Sequence, residues 1–379
     1  MTGRWSWAGF AVAALGLLAG LVLPISSEPA PGLLERPALL IAVLAAALLL
    51  MLASLLVSAS SRPVASIPVG LISVGLGCAV TLALVGEGDI AGSAGPGFWA
   101  LTLANWLAAA LVVTRLAAIE PRRPALRRLH TVAIPVLFGM FVIYLWEVTV
   151  RGFGVPSVLM PAPSATAARF ASSLPTLGED FMQTIVRGVL SGYAIGCGAG
   201  FVVAVVAHRF TFLGRGLLPV GNFLSALPIV GIAPIMVMWF GFDWPSKAAV
   251  VAVITFFPML VNTLAGLDAA GEIERDLMRS YGATPAQTLL KLQLPAAMPF
   301  IFNALKINST LALIGAIVAE FFGTPAQGVG FRISIEAARM SLDMVWAEIA
   351  VAALAGMAFY GIVALAERAT TFWHPSYRT

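Results

Sequence analysis

Few side chains in this 379-residue sequence could do chemistry of their own: three histidines (His130, His208, His374), two cysteines (Cys78, Cys197) and three lysines (Lys247, Lys291, Lys306). The histidines fall at helix ends or in the tail and lack metal-ligand spacing, which reads as interfacial placement. Both cysteines lie in apolar stretches among small neighbours, the setting of buried thiols and not of a redox or metal pair. None of the lysines stands in a Gly-Lys-Ser/Thr phosphate loop, so the chain has no such cradle for ATP. No catalytic or metal-binding residue is therefore expected. What remains are polar groups embedded in apolar runs. Asn222, Ser225, Asn262, Asn303 and Asn308, with Ser309 and Thr310 beside the last, either hydrogen-bond between helices or line a path for a solute. The first five are the candidates for such a path.

A second group of residues is distinguished by local logic. From Asp268 to Tyr281 charges alternate with an apolar face of Ile273, Leu277 and Tyr281, spaced i, i+4, i+8 as an amphipathic helix requires. Gly282 sits where a helix C-terminus favours a residue able to take positive φ. Thr284 is placed to N-cap a second helix, Pro285 to occupy its first position and Gln287 to complete a capping box. That helix is expected to run through Leu289, Leu290 and Leu292 and to stop at Leu294-Pro295. Two short helices joined at a glycine make a compact knob.

The elements that carry these residues follow from composition. Hydrophobic residues make up 60% of the chain and charged residues 11%, against about 25% charged in a soluble domain. The excess is organised into apolar stretches of roughly 18 to 25 residues, long enough as helices to cross a bilayer, and helices satisfy their own backbone in lipid. Spans are expected near 7–24, 38–58, 66–86, 98–119, 131–150, 184–207, 217–240, 247–266, 299–322 and 346–366. The first is read as a retained helix, since no small-x-small cleavage site follows it. With both termini cytoplasmic, thirteen of the 22 Lys and Arg residues fall in interior connections and tails, six in exterior ones and three in or beside spans, the positive-inside bias. This places the 267–298 knob in the cytoplasm and explains the net charge of +4 without nucleic acid. Lys306, two turns into its span, is expected to snorkel, and Glu147 and Glu320 to face water or pair at outer span ends. Lys247 is expected in an exterior connection. The cluster Arg122, Arg123, Arg127 and Arg128 divides a four-helix leader, 1–120, from a basic linker, 121–130, a six-helix unit, 131–367, and a tail, 368–379.

The spacing Asp276-Leu277-Met278, three residues, Gly282, nine residues, Leu292-x-Leu294-Pro295 resembles the cytoplasmic-loop signature of binding-protein-dependent ABC importer permeases. That signature usually reads Glu-Ala-Ala, three residues, Gly, nine residues, Ile-x-Leu-Pro. The side chains depart from it and the spacing does not. Resemblance extends over 131–367: Trp146-Glu147, Leu159-Met160-Pro161-Ala162-Pro163, Ala226-Leu227-Pro228, Trp239-Phe240-Gly241, Phe257-Pro258, Asn262-Thr263 and Val318-Ala319-Glu320 are similar to the nitrate, sulfonate, taurine and thiamine-precursor branch. Residues 1–120 have no counterpart in that pattern.

The apolar runs make this an all-α polytopic membrane protein of about ten transmembrane helices, within which the resemblance implies a six-helix type I importer core. The resemblance also implies a division of labour: this chain forms the path and binds no cofactor, while a separate ATPase receives Asp276, Leu277, Met278, Gly282, Leu292, Leu294 and Pro295 and hydrolyses ATP. Further implied partners are an external solute-binding protein, a second permease copy and lipid, with no nucleic acid, at the cell inner membrane. Thiamine-precursor, pyrimidine or riboflavin-like solutes are suggested by 276–282 and Ile314-Gly315-Ala316, and a sulfonate or nitrate by the wider branch. The rival readings are an ion-driven secondary transporter, which calls for charge at the membrane midplane, and a membrane enzyme, which calls for convergent acids, histidines or cysteines. The sequence shows neither.

Overall fold

The computed structural model describes residues 4–28, 32–59, 66–86, 90–119, 124–225, 228–323 and 326–373, with the side chains of all but 4–7, 58–59, 124–125, 211, 215, 218 and 222–225. Among these residues the only β-pairing is an isolated Ser26–Ala94 bridge, and everything else regular is helical. Eight helical stretches are long and apolar enough to span a membrane, and two shorter apolar helices lie at Ala8–Val22 and Ile229–Phe240. The chain forms two compact units, 1–165 and 166–379.

The first unit contains α1 (Arg4–Val22), α2 (Pro37–Ala59), α3 (Ser66–Gly86), α4 (Pro96–Ala117) and α5 (Pro124–Gly152). Its core is apolar side chains from the first four helices, among them Phe10, Leu17, Leu50, Leu84, Phe98 and Leu101. The fifth helix joins this core through Tyr144 and Val148. A 2.7 Å contact between the Tyr144 and Thr81 hydroxyls gives the buried phenol its partner. Helix α6 (Pro163–Ser172) begins at the end of this unit.

In the second unit α7 (Leu174–Phe181) runs through a π segment, Met182–Leu190, into α8 (Ser191–Arg209). There follow α9 (Thr211–Ser225), α10 (Ile229–Phe240), α11 (Trp244–Asp268), α12 (Glu272–Ser280) and α13 (Pro285–Thr288). A second π segment, Leu289–Gln293, then leads into α14 (Leu294–Glu320), α15 (Val329–Ala338) and α16 (Leu342–Thr370). Helix α11 is central, packed between α8 and α14. Gly192, Gly196 and Gly200, one turn apart on α8, allow that approach. A Cβ at Gly192 or Gly200 would lie 2.5 Å from the carbonyl oxygen of Ala248 or Phe256 on α11. Small residues in this register let membrane helices associate by backbone contact, where no hydrophobic force distinguishes protein from lipid.

Three sequence expectations are corrected. The apolar run 217–240 forms α9 and α10, not one span, and α10 resumes at Ile229 behind Pro228. A proline lacks the amide that would continue the ladder and disfavours helix in the residue before it. The knob's first helix starts at Glu272 and not at Asp268, because Asp268 ends α11 and Gly271 intervenes. Its second helix does not stop at Leu294-Pro295. The π segment shifts the bonding so that the Leu294 amide reaches back to Leu289. Pro295 then falls in the first turn of α14, where its missing N–H costs nothing.

Candidate functional site

Three clusters in the second unit bear on function, and the knob is the most exposed. Helix α12 ends in a Schellman arrangement. Gly282, at φ +67, donates its amide to Arg279 O at 2.9 Å, and Ala283 donates to Met278 O at 3.0 Å. Two residues on, Thr284 and Gln287 form the reciprocal capping box: the Thr284 amide donates to Gln287 Oε1 at 2.8 Å and the Gln287 amide to Thr284 Oγ1 at 3.3 Å. With both ends of the turn satisfied by its own residues, the knob holds its shape with no buried residue in α12 or α13. Ile273 is 84% exposed and Tyr281 81%, and Leu277 and Leu290 are exposed beside them. Asp276 lies in solvent, paired only with Arg279 at 3.1 Å, while Met278, Leu292, Leu294 and Pro295 are half-buried toward the base. His208 at the end of α8 meets Asp268 at 3.2 Å. Between this corner and the knob lies a cavity of about 700 Å³, walled by Val205, Phe210 and Leu289 and by Arg209, Arg275 and Arg279.

The candidate path residues separate. Asn262 on α11 donates to Pro258 O at 2.8 Å, and Asn303 on α14 donates to Asn262 Oδ1 at 3.4 Å with its own side chain exposed. These two share one outward seam. Asn308 is fully buried: its amide donates to Thr255 O on α11 at 2.8 Å and to Cys197 Sγ on α8 at 3.2 Å, which ties three helices together. Asn222 and Ser225 lie on α9, and their side chains fall outside the described residues. Lys306 does not snorkel free. It donates to Glu367 on α16 at 2.8 Å, so the charge is met inside the bundle.

The third cluster was not foreseen as a unit. At the end of α14 away from the knob, Glu320 is 2% exposed and does not face water. Its Oε1 accepts from Thr184 Oγ1 at 2.7 Å and its Oε2 from the Gly330 amide at 2.7 Å. Thr184 Oγ1 in turn accepts from the Val329 amide at 2.8 Å. Asp180 on α7, fully buried, accepts from the Gly328 amide at 2.5 Å and from Arg332 Nε at 2.8 Å. That carboxylate holds the Arg332 guanidinium above its ordinary pKa. Lys247, expected in a connection, is buried in the first turn of α11, where its ammonium donates to the carbonyls of Phe242 and Gly323. Just before α11, exposed Asp243 is held below the ordinary aspartate value, first by the Gln183 side chain and then by the Trp244 amide. Gly330 must be glycine, since a Cβ there would press on Glu320 Cβ at 3.0 Å and on the backbone of Ile317. In the sequence the available signal was three acids or bases, Asp180, Lys247 and Glu320, inside or bordering apolar runs, which membrane helices carry only when partnered.

In the first unit Glu147 pairs as expected at the end of its span. It accepts from the Ser164 amide at 2.8 Å, from Ser164 Oγ at 2.7 Å and from Arg151 Nε at 2.5 Å, pinning the start of α6.

Residues 196–372, from the glycine ridge of α8 to the end of α16, match the family described as binding-protein-dependent transport system inner membrane component. The formylaminopyrimidine transport permease protein ThiX of Halalkalibacterium halodurans is 30% identical over 210 residues, which is 54% of this chain and 82% of that protein. This chain belongs to that family. It is the membrane-spanning permease subunit of an ABC importer, an all-α multi-pass protein of the inner membrane. The permease is also 28% identical over 270 residues to the riboflavin transport system permease protein RibX of Chloroflexus aurantiacus, covering 70% of this chain and 98% of that one. Against the taurine transport system permease protein TauC of Escherichia coli it is 30% identical over 195 residues, 51% and 67% of the two chains.

Proposed function

We propose that the permease docks a separate ATPase through the knob at 272–295 and carries a small neutral heterocycle, of the riboflavin or pyrimidine kind, delivered by an external binding protein. The observation that carries the docking is the knob itself: a self-capped turn that presents Ile273, Leu277 and Tyr281 to solvent while its own hydrogen bonds are complete. Large apolar side chains held out on a pre-formed element are what a partner's groove recognises, since little ordering is lost on contact. Charge bias puts this knob and both termini in the cytoplasm, and the Glu320 end of α14 on the outer side. The ATPase then supplies the ATP chemistry that this chain, without a phosphate loop, does not.

The solute class is supported by the seam. Asn262 and Asn303 offer neutral amides on an outward face of two apolar spans, where a lipid-facing amide would lack partners. A second copy of the permease facing that seam encloses a polar path suited to ring nitrogens and carbonyls, while a sulfonate or nitrate calls for a cation that the two amides do not provide. The relatives named for riboflavin and formylaminopyrimidine transport favour this class, and the one named for taurine transport does not.

Co-purification tests the docking. Wild-type permease retains its ATPase in detergent, and Leu277→Asp with Tyr281→Asp releases it; retention by the double variant refutes the site. Impermeant maleimide labelling of Thr284→Cys and Ser334→Cys from the two sides should give opposite sidedness, and labelling of both from outside refutes the topology.

A further inference from the structure

Helix α14 has one end in each of the two polar regions. It starts at Leu294, directly after the π segment of the knob, and ends at Glu320. Its 27 residues form one continuous helix with Pro299 in its second turn, about 40 Å long at 1.5 Å per residue. Small residues, Ala297, Ala304, Ala312, Ala316 and Ala319, are buried along its length, so it is closely packed from end to end.

What Glu320 holds is the start of α15, and that helix has no cap of its own. Gly328 precedes it at φ +125 and brings no side-chain acceptor. Its leading amides, of Gly328, Val329 and Gly330, go to Asp180, Thr184 and Glu320, which lie on the α7–α8 stretch and on α14 and are at most 2% exposed. The N-terminus of a helix needs partners for these donors, and a carboxylate there also meets the positive end of the dipole. Hydrogen bonds of this kind span about 2.7 to 3.2 Å, and a contact at about 3.6 Å is no longer one. A shift of Glu320 by about 1 Å therefore breaks the 2.7 Å bond to Gly330 unless α15 follows.

We propose that Glu320 is a positioning residue for coupling: as a hydrogen-bonding cap at the far end of α14, it makes α15 follow the knob when the ATPase moves it. The idea rests on the knob being the ATPase dock. Linkage requires the same cap to carry a signal from α15 back to the knob. Glu320 acts through its hydrogen bonds to Thr184 Oγ1 and the Gly330 amide.

The test uses the full permease with its ATPase in nanodiscs, with Ser334→Cys on the exposed side of α15 as the reporter. The rate at which an impermeant maleimide labels this thiol is measured without nucleotide and after trapping with ATP and vanadate. Expected in the otherwise wild-type protein is a change of about threefold or more on trapping. Glu320→Ala should abolish the change while ATPase association and basal ATP hydrolysis persist. Glu320→Gln, whose amide oxygen still accepts from Gly330 and whose NH2 can donate to Thr184 Oγ1, should restore most of it. Thr184→Val, which keeps the side-chain shape and removes the hydroxyl, should reduce it and serves where the alanine variant fails to insert. An unreduced response in Glu320→Ala and Thr184→Val overturns the inference, as does a glutamine variant as silent as the alanine one, since the retained bond to Gly330 would then not carry the coupling. Absence of ATPase from the wild-type preparation would instead remove the docking reading, and is seen separately in the co-purification.

Discussion

The knob and the buried junction at opposite ends of α14 solve the same problem, a turn between helices with backbone groups to satisfy, in opposite ways. The knob does so within its own sequence: Gly282 supplies the left-handed residue, and Thr284 and Gln287 supply each other's bonds. The junction draws its acceptors from Asp180, Thr184 and Glu320 on other helices, and buries them. Local closure leaves an element free to move as a body and to present its surface to a partner. Distant closure makes an element's position depend on where its neighbours are.

The sharpest way to break this contrast is to remove single charges in turn, at the junction, part-way along α14 and in the knob. Asp180→Ala leaves the Arg332 guanidinium and the Gly328 amide without their buried acceptor. It should cost about 3 to 5 kcal/mol of the second unit's stability, as loss of one partner from a buried pair does. Thermal unfolding in detergent reads this, and an unchanged midpoint would mean the junction is wet. An intermediate effect is expected at Lys306→Met, which strands Glu367, 10% exposed at its side chain. A loss of about 2 kcal/mol should be more than half recovered by adding Glu367→Leu, because apolar replacement of both partners is well tolerated. Smallest is Asp276→Ala in the knob. Its pair with Arg279 is 69% and 79% exposed, so the change should fall within about 0.5 kcal/mol.

Legibility in the sequence followed the same division. Capping box, Schellman glycine and proline at the first helical position are all fixed within a few residues of chain, so Gly282, Thr284, Pro285 and Gln287 were readable from spacing alone. Apolar runs marked the long helices because lipid leaves the backbone no alternative. The boundaries that failed were those where one residue changed the bonding register: Pro228 splitting 217–240, and the π segment before Pro295 carrying the helix onward. Burial of Lys247 and Glu320 was not readable, because it depends on the Gly323 carbonyl and on Thr184, which are distant in the chain and brought in by the fold. Nor could spacing tell Asn308, enclosed among three helices, from Asn303 on the open seam.

The central claim, that the knob couples ATP hydrolysis to transport, is tested most directly at Gly282. Apart from its own chain neighbours, no atom lies within 4 Å of where a Cβ would stand, so a substitution there meets no steric obstacle from the rest of the fold. It opposes only the backbone at φ +67, a strain of about 1 to 2 kcal/mol for a residue with a Cβ. The two helices of the knob then splay without disturbing the spans. Uptake should be measured for Gly282→Val in proteoliposomes containing the permease, its ATPase and the solute-loaded binding protein. The account predicts normal expression and insertion, weakened ATPase association and uptake reduced at least about tenfold, with Asp276→Glu active as a control. Uptake at the wild-type rate by Gly282→Val would contradict it and leave the knob a mere connection between α11 and α14.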